Sequence, residues 1–285
     1  MVGRRRLFMV ELGLNGWNEV GQQLLSQLKC DDFLKISQVN SDLFEGALPG
    51  VTVTHERNAA DIPWEVEQVV ELGGLPATLC QGHLHGRVRR VLLAGPSTDD
   101  TLGTPVIMGV NHLQCDDAAP MLYTSSAETN GIALLIKVLN DEWGIQSAMF
   151  HVVRTLEDGE FGSFISDAGR VIPQLFPELR GRMDGDAFIV PGNRLSSVIL
   201  NVQLHSQTTA YDVRHSLHRY ADGPLCGWMF CVDDSEKIHA AWSEGHSTIV
   251  DASAVRVVNG DTVQLVAWVD APAALASRII AILKL

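Results

Sequence analysis

The sequence predicts an α/β unit followed by an α+β unit, the second built on a large, mostly antiparallel sheet. Three observations carry this. The chain has 285 residues, enough for two domains of ordinary size. Its first part reads as short apolar runs separated by turns and helical stretches. From residue 145 onward, longer runs alternate apolar and polar, the period of half-buried strands.

Residues 7–13 (LFMVELG) form a short apolar run, read as a buried strand. The turn NGWNEVG and a helical pattern through QQLLSQLK follow, giving the strand–turn–helix opening of a nucleotide-binding βαβ unit. Residues 35–40 and 51–54 read as the next strands, and Glu65 to Val70 lead into another before Gly73-Gly74. Residues 76–86 read as helix or loop, and 88–94 and 105–110 as further strands. A helix from Asn130 to Trp143 opens the second half. There 145–155, 186–191, 197–204, 225–232 and 262–269 read as strands, and 169–177, 210–221 and 273–284 as helices. There is no internal repeat and no low-complexity linker.

Hydrophobic residues make up 46% and charged residues 19%, the composition of a compact globular chain. A net charge of −13 argues against nucleic acid or an anionic membrane as the main partner. No apolar run is long enough to span a bilayer, and the opening MVGRRRLFMVELGL lacks a signal-peptide cleavage site. Cys30, Cys80, Cys115, Cys226 and Cys231 are odd in number and irregularly spaced, as expected of free thiols in a reducing cytoplasm. Cys226 and Cys231 sit at strand spacing and are expected to be buried. Cys80, His83 and His85 in LCQGHLHGR lack the paired, four-ligand spacing of a structural zinc site, so no metal is expected.

Residues 106–143 read VIMGVNHLQCDDAAPMLYTSSAETNGIALLIKVLNDEW. This resembles the segment of phosphorylating glyceraldehyde-3-phosphate dehydrogenase (GAPDH) in which a "MGVNH" strand leads to "SCTTN" and a helix closing on "KVLND". Similar stretches follow in order: PELRGRMDGDAFIVP (177–191), YADGPLCGWM (220–229), EGHSTIVDA (244–252) and VQLVAWVD (263–270). The resemblance implies a Rossmann-like NAD-binding domain over 1–126, rejoined by a C-terminal helix at 273–285. It implies a GAPDH catalytic-type α+β domain over 127–272. Two places are shorter than the family pattern, between Asn40 and Val51 and between Thr155 and Ile172.

Within that frame the key positions differ. The slot of the catalytic Cys holds Ala127, and a methyl group cannot form a thiohemiacetal. The slot of the general base holds Arg154, which cannot accept a proton at neutral pH. His151 lies three residues earlier, on the opposite face of its strand. Glu128 next to the vacant slot and Arg154 are expected to form an ion pair. In the dinucleotide fingerprint Gly16 and Gly21 stand, but the middle Gly is Asn18, which crowds the pyrophosphate position, and Glu19 follows it. The ribose-binding acid corresponds to Asp42, displaced by one; it reads as a solvated loop residue or as a shifted ligand. Ala271 stands where the family offers an Asn to the nicotinamide. NAD binding is therefore expected to be weak or absent. Of the phosphate-binding hydroxyls Thr129 remains, an acid appears in Ser166-Asp167-Ala168-Gly169-Arg170, and Ile189 replaces an Arg, with Arg194 five residues on as the candidate substitute.

Two functions remain open. One is a non-catalytic binding or regulatory relative, a pseudoenzyme that keeps the fold and an oligomer interface. It would act as a homodimer or homotetramer, or in association with the active enzyme. The other is an oxidoreductase or other enzyme of the GAPDH-like family acting on an aldehyde or phosphorylated small molecule. It would use Glu128 as acid/base and Arg154, with Thr129, to hold an anion.

Overall fold

The computed structural model describes residues 9–44, 46–116, 118–156, 161–192, 195–243 and 248–285. They form two compact units. The first comprises residues up to Pro105, Asp116–Thr124 and Ala276–Leu285; the second comprises Val106–Cys115 and Ser125–Leu275.

In the first unit β1 (Val10–Asn15) leads to α1 (Glu19–Gln27), β2 (Leu34–Asn40), β3 (Thr52–Thr54), β4 (Gln68–Glu71), α2 (Ala77–Cys80), β5 (Arg90–Leu93) and β6 (Met121–Tyr123). These strands pair in parallel in the order β3-β2-β1-β4-β5-β6. The order reverses between β1 and β4, which makes the carboxyl ends of those two strands the topological switch point. The central strands of this parallel sheet bury apolar residues on both faces; Leu12, Leu14, Val69, Val70, Val91 and Leu92 are all fully buried. This is the Rossmann-like arrangement expected from the opening of the chain.

The second unit holds α3 (Ala127–Trp143), β7 (Ile145–Leu156), β8 (Gly162–Phe164), α4 (Ala168–Leu175), β9 (Met183–Pro191), β10 (Leu195–Leu204), α5 (Ala210–Ala221), β11 (Phe230–Val232), α6 (Ile238–Ser243), β12 (Ile249–Asp251), β13 (Arg256–Val258) and β14 (Thr262–Asp270). The helix α7 (Ala271–Leu283) is divided, its residues from Ala276 onward belonging to the first unit. The sheet runs β11-β12-β14-β10-β7-β9-β8, with β13 on β14. Only the β7–β9 and β11–β12 pairs are parallel, so the sheet is mixed and mostly antiparallel. Burial alternates residue by residue along β10 and β14. Val198, Leu200, Val202, Leu265 and Ala267 point inward to a core shared with α3, where Ile132 to Ile136 are fully buried. Each such aliphatic side chain contributes about 1.5–3 kcal/mol by leaving water.

Three expectations need correction. Residues 105–110 are not a strand. Val110 and Asn111 N–H both donate to Ile107 O at 3.1 Å, and Asn111 Oδ1 accepts from Ile107 N at 2.7 Å. Gly109 permits this turn with φ +82°, where a Cβ would also meet Leu225 at 2.8 Å. The apolar run there records burial of Val106, Ile107 and Met108, and the sheet's edge is supplied by β6 instead. Of 225–232, only Phe230–Val232 is strand; the chain before it winds in turns, with Met229 N donating to Leu225 O. Cys226 is accordingly exposed, while Cys231 is buried as expected.

Candidate functional site

The first candidate region lies at the switch point of the first unit. Gly16 takes φ +89° in the turn after β1, and a Cβ there would strike Gly73 N at 2.6 Å, so only glycine fits. Asn18 caps α1, accepting from Gly21 N at 3.1 Å, and its Nδ2 donates to Leu72 O beyond β4 at 3.1 Å. An N–H at the helix start, of the kind that commonly faces a ligand phosphate, is thus bonded within the chain. Beneath it sits a buried polar network. Glu71 Oε2 accepts from Asn15 Nδ2 at 2.6 Å and faces His83 Nε2 at 3.0 Å, while Oε1 accepts from Gly73 N at 2.6 Å. The indole N–H of Trp64 donates to His83 Nδ1 at 3.1 Å, which places the ring proton on Nε2, toward Glu71. Asn40 extends the network, donating to Asn15 Oδ1 at 2.8 Å.

Asp42 lies outside this network. It is exposed in the turn after β2 and pairs with Arg57 at 3.4 Å. The same loop carries Phe44, which meets Trp17 edge-on at 5.0 Å and joins the β1–α1 turn to the segment after β2. His83 is fully buried between Trp64 and Glu71, and Cys80 donates to Leu75 O at 3.4 Å. Among the described residues no group of three His, Cys, Asp or Glu could hold a metal ion.

The second region lies at the start of α3. Ser126 is the N-cap, its hydroxyl accepting from Thr129 N at 3.2 Å, and Ala127 begins the helix with its methyl group buried. Asp167, just before α4, is aimed at this helix start. Its Oδ1 accepts from Ser126 Oγ and Thr129 Oγ1, both at 2.6 Å. Its Oδ2 accepts from Ser126 N at 3.2 Å and from the hydroxyl of Ser125. Ser125 is fully buried with φ +66°, a conformation that costs a non-glycine residue about 1–3 kcal/mol unless its surroundings hold it there. The carboxylate offers a bond to Ser125 and gains from the positive end of the helix dipole.

One helical position on, Glu128 is only 2% exposed. Its Oε1 accepts from Arg154 Nε at 2.8 Å and from Ser196 Oγ at 2.9 Å. Arg154 is on the inward face of β7, paired in register with Ser196 on β10 and Ile189 on β9. Its guanidinium lies 4.3 Å from the centre of the Phe164 ring. The ion pair anticipated from the sequence is therefore formed, with two members, Ser196 and Phe164, that sequence spacing did not single out. His151 is elsewhere, 3.9 Å from Asp186. Ala271 starts α7, whose N-terminus is satisfied by Asp270 Oδ1 accepting from Ala273 N at 3.3 Å. Arg194 lies outside the described residues.

Asp167 and Glu71 organise the two regions, and neither was identified as a hub from the sequence. The signal for Asp167 was present: an acid facing the Ser125-Ser126-x-x-Thr129 hydroxyls at a helix start. For Glu71 there was none, because Asn15 reaches it through strand register and His83 through the turn after α2.

Comparison with known proteins fits this geometry. Residues 165–271 match the family described as glyceraldehyde 3-phosphate dehydrogenase, C-terminal domain. The chain is 26% identical to glyceraldehyde-3-phosphate dehydrogenase 3.1 of Caenorhabditis briggsae, over 94% of this chain and 96% of that protein. It is 27% identical to glyceraldehyde-3-phosphate dehydrogenase of Mastigamoeba balamuthi, over 95% and 97% of the two chains. With the cytosolic glyceraldehyde-3-phosphate dehydrogenase of Ranunculus acris it shares 29% identity over 87% of this chain and 79% of the relative. The chain is thus GAPDH-like: its second half matches the C-terminal domain model, and most of its length is similar, at low identity, to glyceraldehyde-3-phosphate dehydrogenases.

Proposed function

We propose that this protein is a non-catalytic binding or regulatory relative of glyceraldehyde-3-phosphate dehydrogenase, a pseudoenzyme. The observation that carries the reading is Asp167. The hydroxyl of Thr129, which the resemblance would offer to a phosphate, donates instead to the chain's own carboxylate at 2.6 Å, as does that of the neighbouring Ser126. An external oxyanion arriving there meets a like charge already holding the donors. The chemistry around it points the same way. Ala127 has no nucleophile, and Arg154 in the base slot offers hydrogen-bond donors only and is bonded to Glu128.

The nucleotide end supports the same reading. Asn18 ties up a helix N–H, Glu19 adds negative charge to the first turn, and Trp17 packs against Phe44. NAD affinity is then weak or absent, and the site needs no metal. The alternative, an enzyme with Glu128 as acid/base, is less favoured by the geometry. Glu128 is 2% exposed, and its Oε1 holds an Arg and a Ser.

The partner we infer is a second copy of this chain or an active family member, in the cytoplasm. The outward face of the second sheet carries exposed Met149 and Phe188, with half-buried Val153, Ile199 and Val266, which suits a homodimeric or homotetrameric contact. Among the described residues no helix is long and apolar enough to cross a membrane. The direct test is to incubate the protein with glyceraldehyde 3-phosphate, NAD⁺ and phosphate and follow NADH by absorbance. No NADH above the buffer rate is expected; sustained turnover would overturn the proposal.

A further inference from the structure

At the start of α3 one group is left with unused donors. Arg154 engages Glu128 through Nε and lays its face on Phe164, and its Nη1 and Nη2 meet no acceptor among the described residues. Its side chain is 32% exposed, and neither Nη is among the buried polar atoms that lack a partner, so this edge reaches solvent.

We propose that the Nη1–Nη2 edge of Arg154 receives the carboxylate of a small organic acid with an apolar substituent. This names the ligand class of the proposed binding site and rests on the non-catalytic reading. Three features select that class. First, the guanidinium is held at Nε by a buried carboxylate and across its face by an aromatic ring. Its remaining two-nitrogen edge is a rigid fork that matches the two oxygens of a carboxylate. Second, the charges of Glu128 and Arg154 cancel, and Asp167 adds a negative charge at the start of the same helix. A monoanion is tolerated better beside them than a phosphate dianion. Third, the neighbours of Arg154 on β8 and β9 are apolar. Phe164 stacks on it, and Ile189 is its register partner where the family resemblance places a second Arg. These walls suit a hydrocarbon substituent rather than a second anionic group.

The test uses the full chain, with benzoate and inorganic phosphate as probes at matched ionic strength, read by saturation-transfer NMR on benzoate. Saturable benzoate binding is expected, and added phosphate should not compete with it. Arg154→Gln alone would leave Glu128 buried with no cation, so the principal variant is Glu128→Gln/Arg154→Gln, which removes both charges together. It should weaken benzoate by about tenfold or more, the effect of losing charge-assisted hydrogen bonds. Arg154→Lys keeps the charge and loses the fork, and should weaken benzoate as well. The proposal is overturned if the wild-type protein shows no saturable benzoate signal, if phosphate competes, or if either variant binds like the wild type. NADH formation is a separate readout, so failure of the benzoate experiment leaves the non-catalytic reading standing, and turnover would remove it whatever benzoate does.

Discussion

Glu71 in the first unit and Asp167 in the second are both acids that gather hydrogen bonds at a place where this family's fold could meet a ligand. Their surroundings differ. Glu71 is 2% exposed, and its partners Asn15, His83 and the Gly73 N–H are themselves fixed by strand ends and by Trp64. Asp167 is half-buried, and its partners are mostly hydroxyls at a helix start, donors that can turn toward any oxyanion. The first acid is a structural element of the sheet's carboxyl end. The second behaves as a built-in ligand. On the proposed reading, binding is lost by a different route at each acid, and the routes should separate under mutation.

The largest effect is expected at Glu71. Replacing it by Ala leaves Asn15, His83 and the Gly73 N–H without their buried acceptor, a cost of about 3–5 kcal/mol. Urea denaturation measures it. Cys80, buried nearby, reports the same change locally, so thiol labelling should accelerate at Cys80 and not at Cys231. A loss under 1 kcal/mol would mean that the network is not structural.

At Asp167 the expected loss is smaller and recoverable. Asp167→Ala should cost about 1–3 kcal/mol, since the fully buried Ser125 and Thr129 lose their acceptor while the half-buried Ser126 can be rehydrated. Inorganic phosphate should then raise the melting temperature of the variant and leave the wild type unchanged. If phosphate stabilises both equally, Asp167 does not occupy an oxyanion site.

A third effect separates the units by pH. Burial, with Glu71 adding to it, pushes the Cys80 thiol up from 9.0 to about 12. Burial, with Asp233 and then Asp222 adding to it, does the same for Cys231. Both folded values lie above the unfolded one, so the stabilisation is complete below pH 9 and is lost as pH climbs from 9 toward 12. Each thiol should contribute a slope of about 1.4 kcal/mol per pH unit across that window. Glu71→Ala should lower the Cys80 titration and leave that of Cys231 in place, which alkaline denaturation of the single Cys→Ala variants would resolve.

Much of the fold was legible because it rests on periodicity. The strand of residues 35–40 and the alternating run of 262–269 appear at their expected places, as does the helix ending at Trp143. Residues 105–110 misled because burial in a turn needs the same apolar residues as a buried strand, and only the φ of Gly109 distinguishes them. The pair Glu128–Arg154 could be anticipated because two chemically complementary residues stand in slots that face each other. The Glu71 network could not. Asn15 is 56 residues from Glu71, and the parallel register of β1 with β4 is what brings them together.

The central claim is that the nucleotide and oxyanion positions are filled by this chain's own side chains. Calorimetric titration with NAD⁺ and with NADH at millimolar concentration, at two temperatures, tests it most directly. No saturable heat is expected, because the α1 start is capped by Asn18 and carries Glu19. Saturable binding in the micromolar range would contradict the account and return the protein to the nucleotide-dependent members of its family.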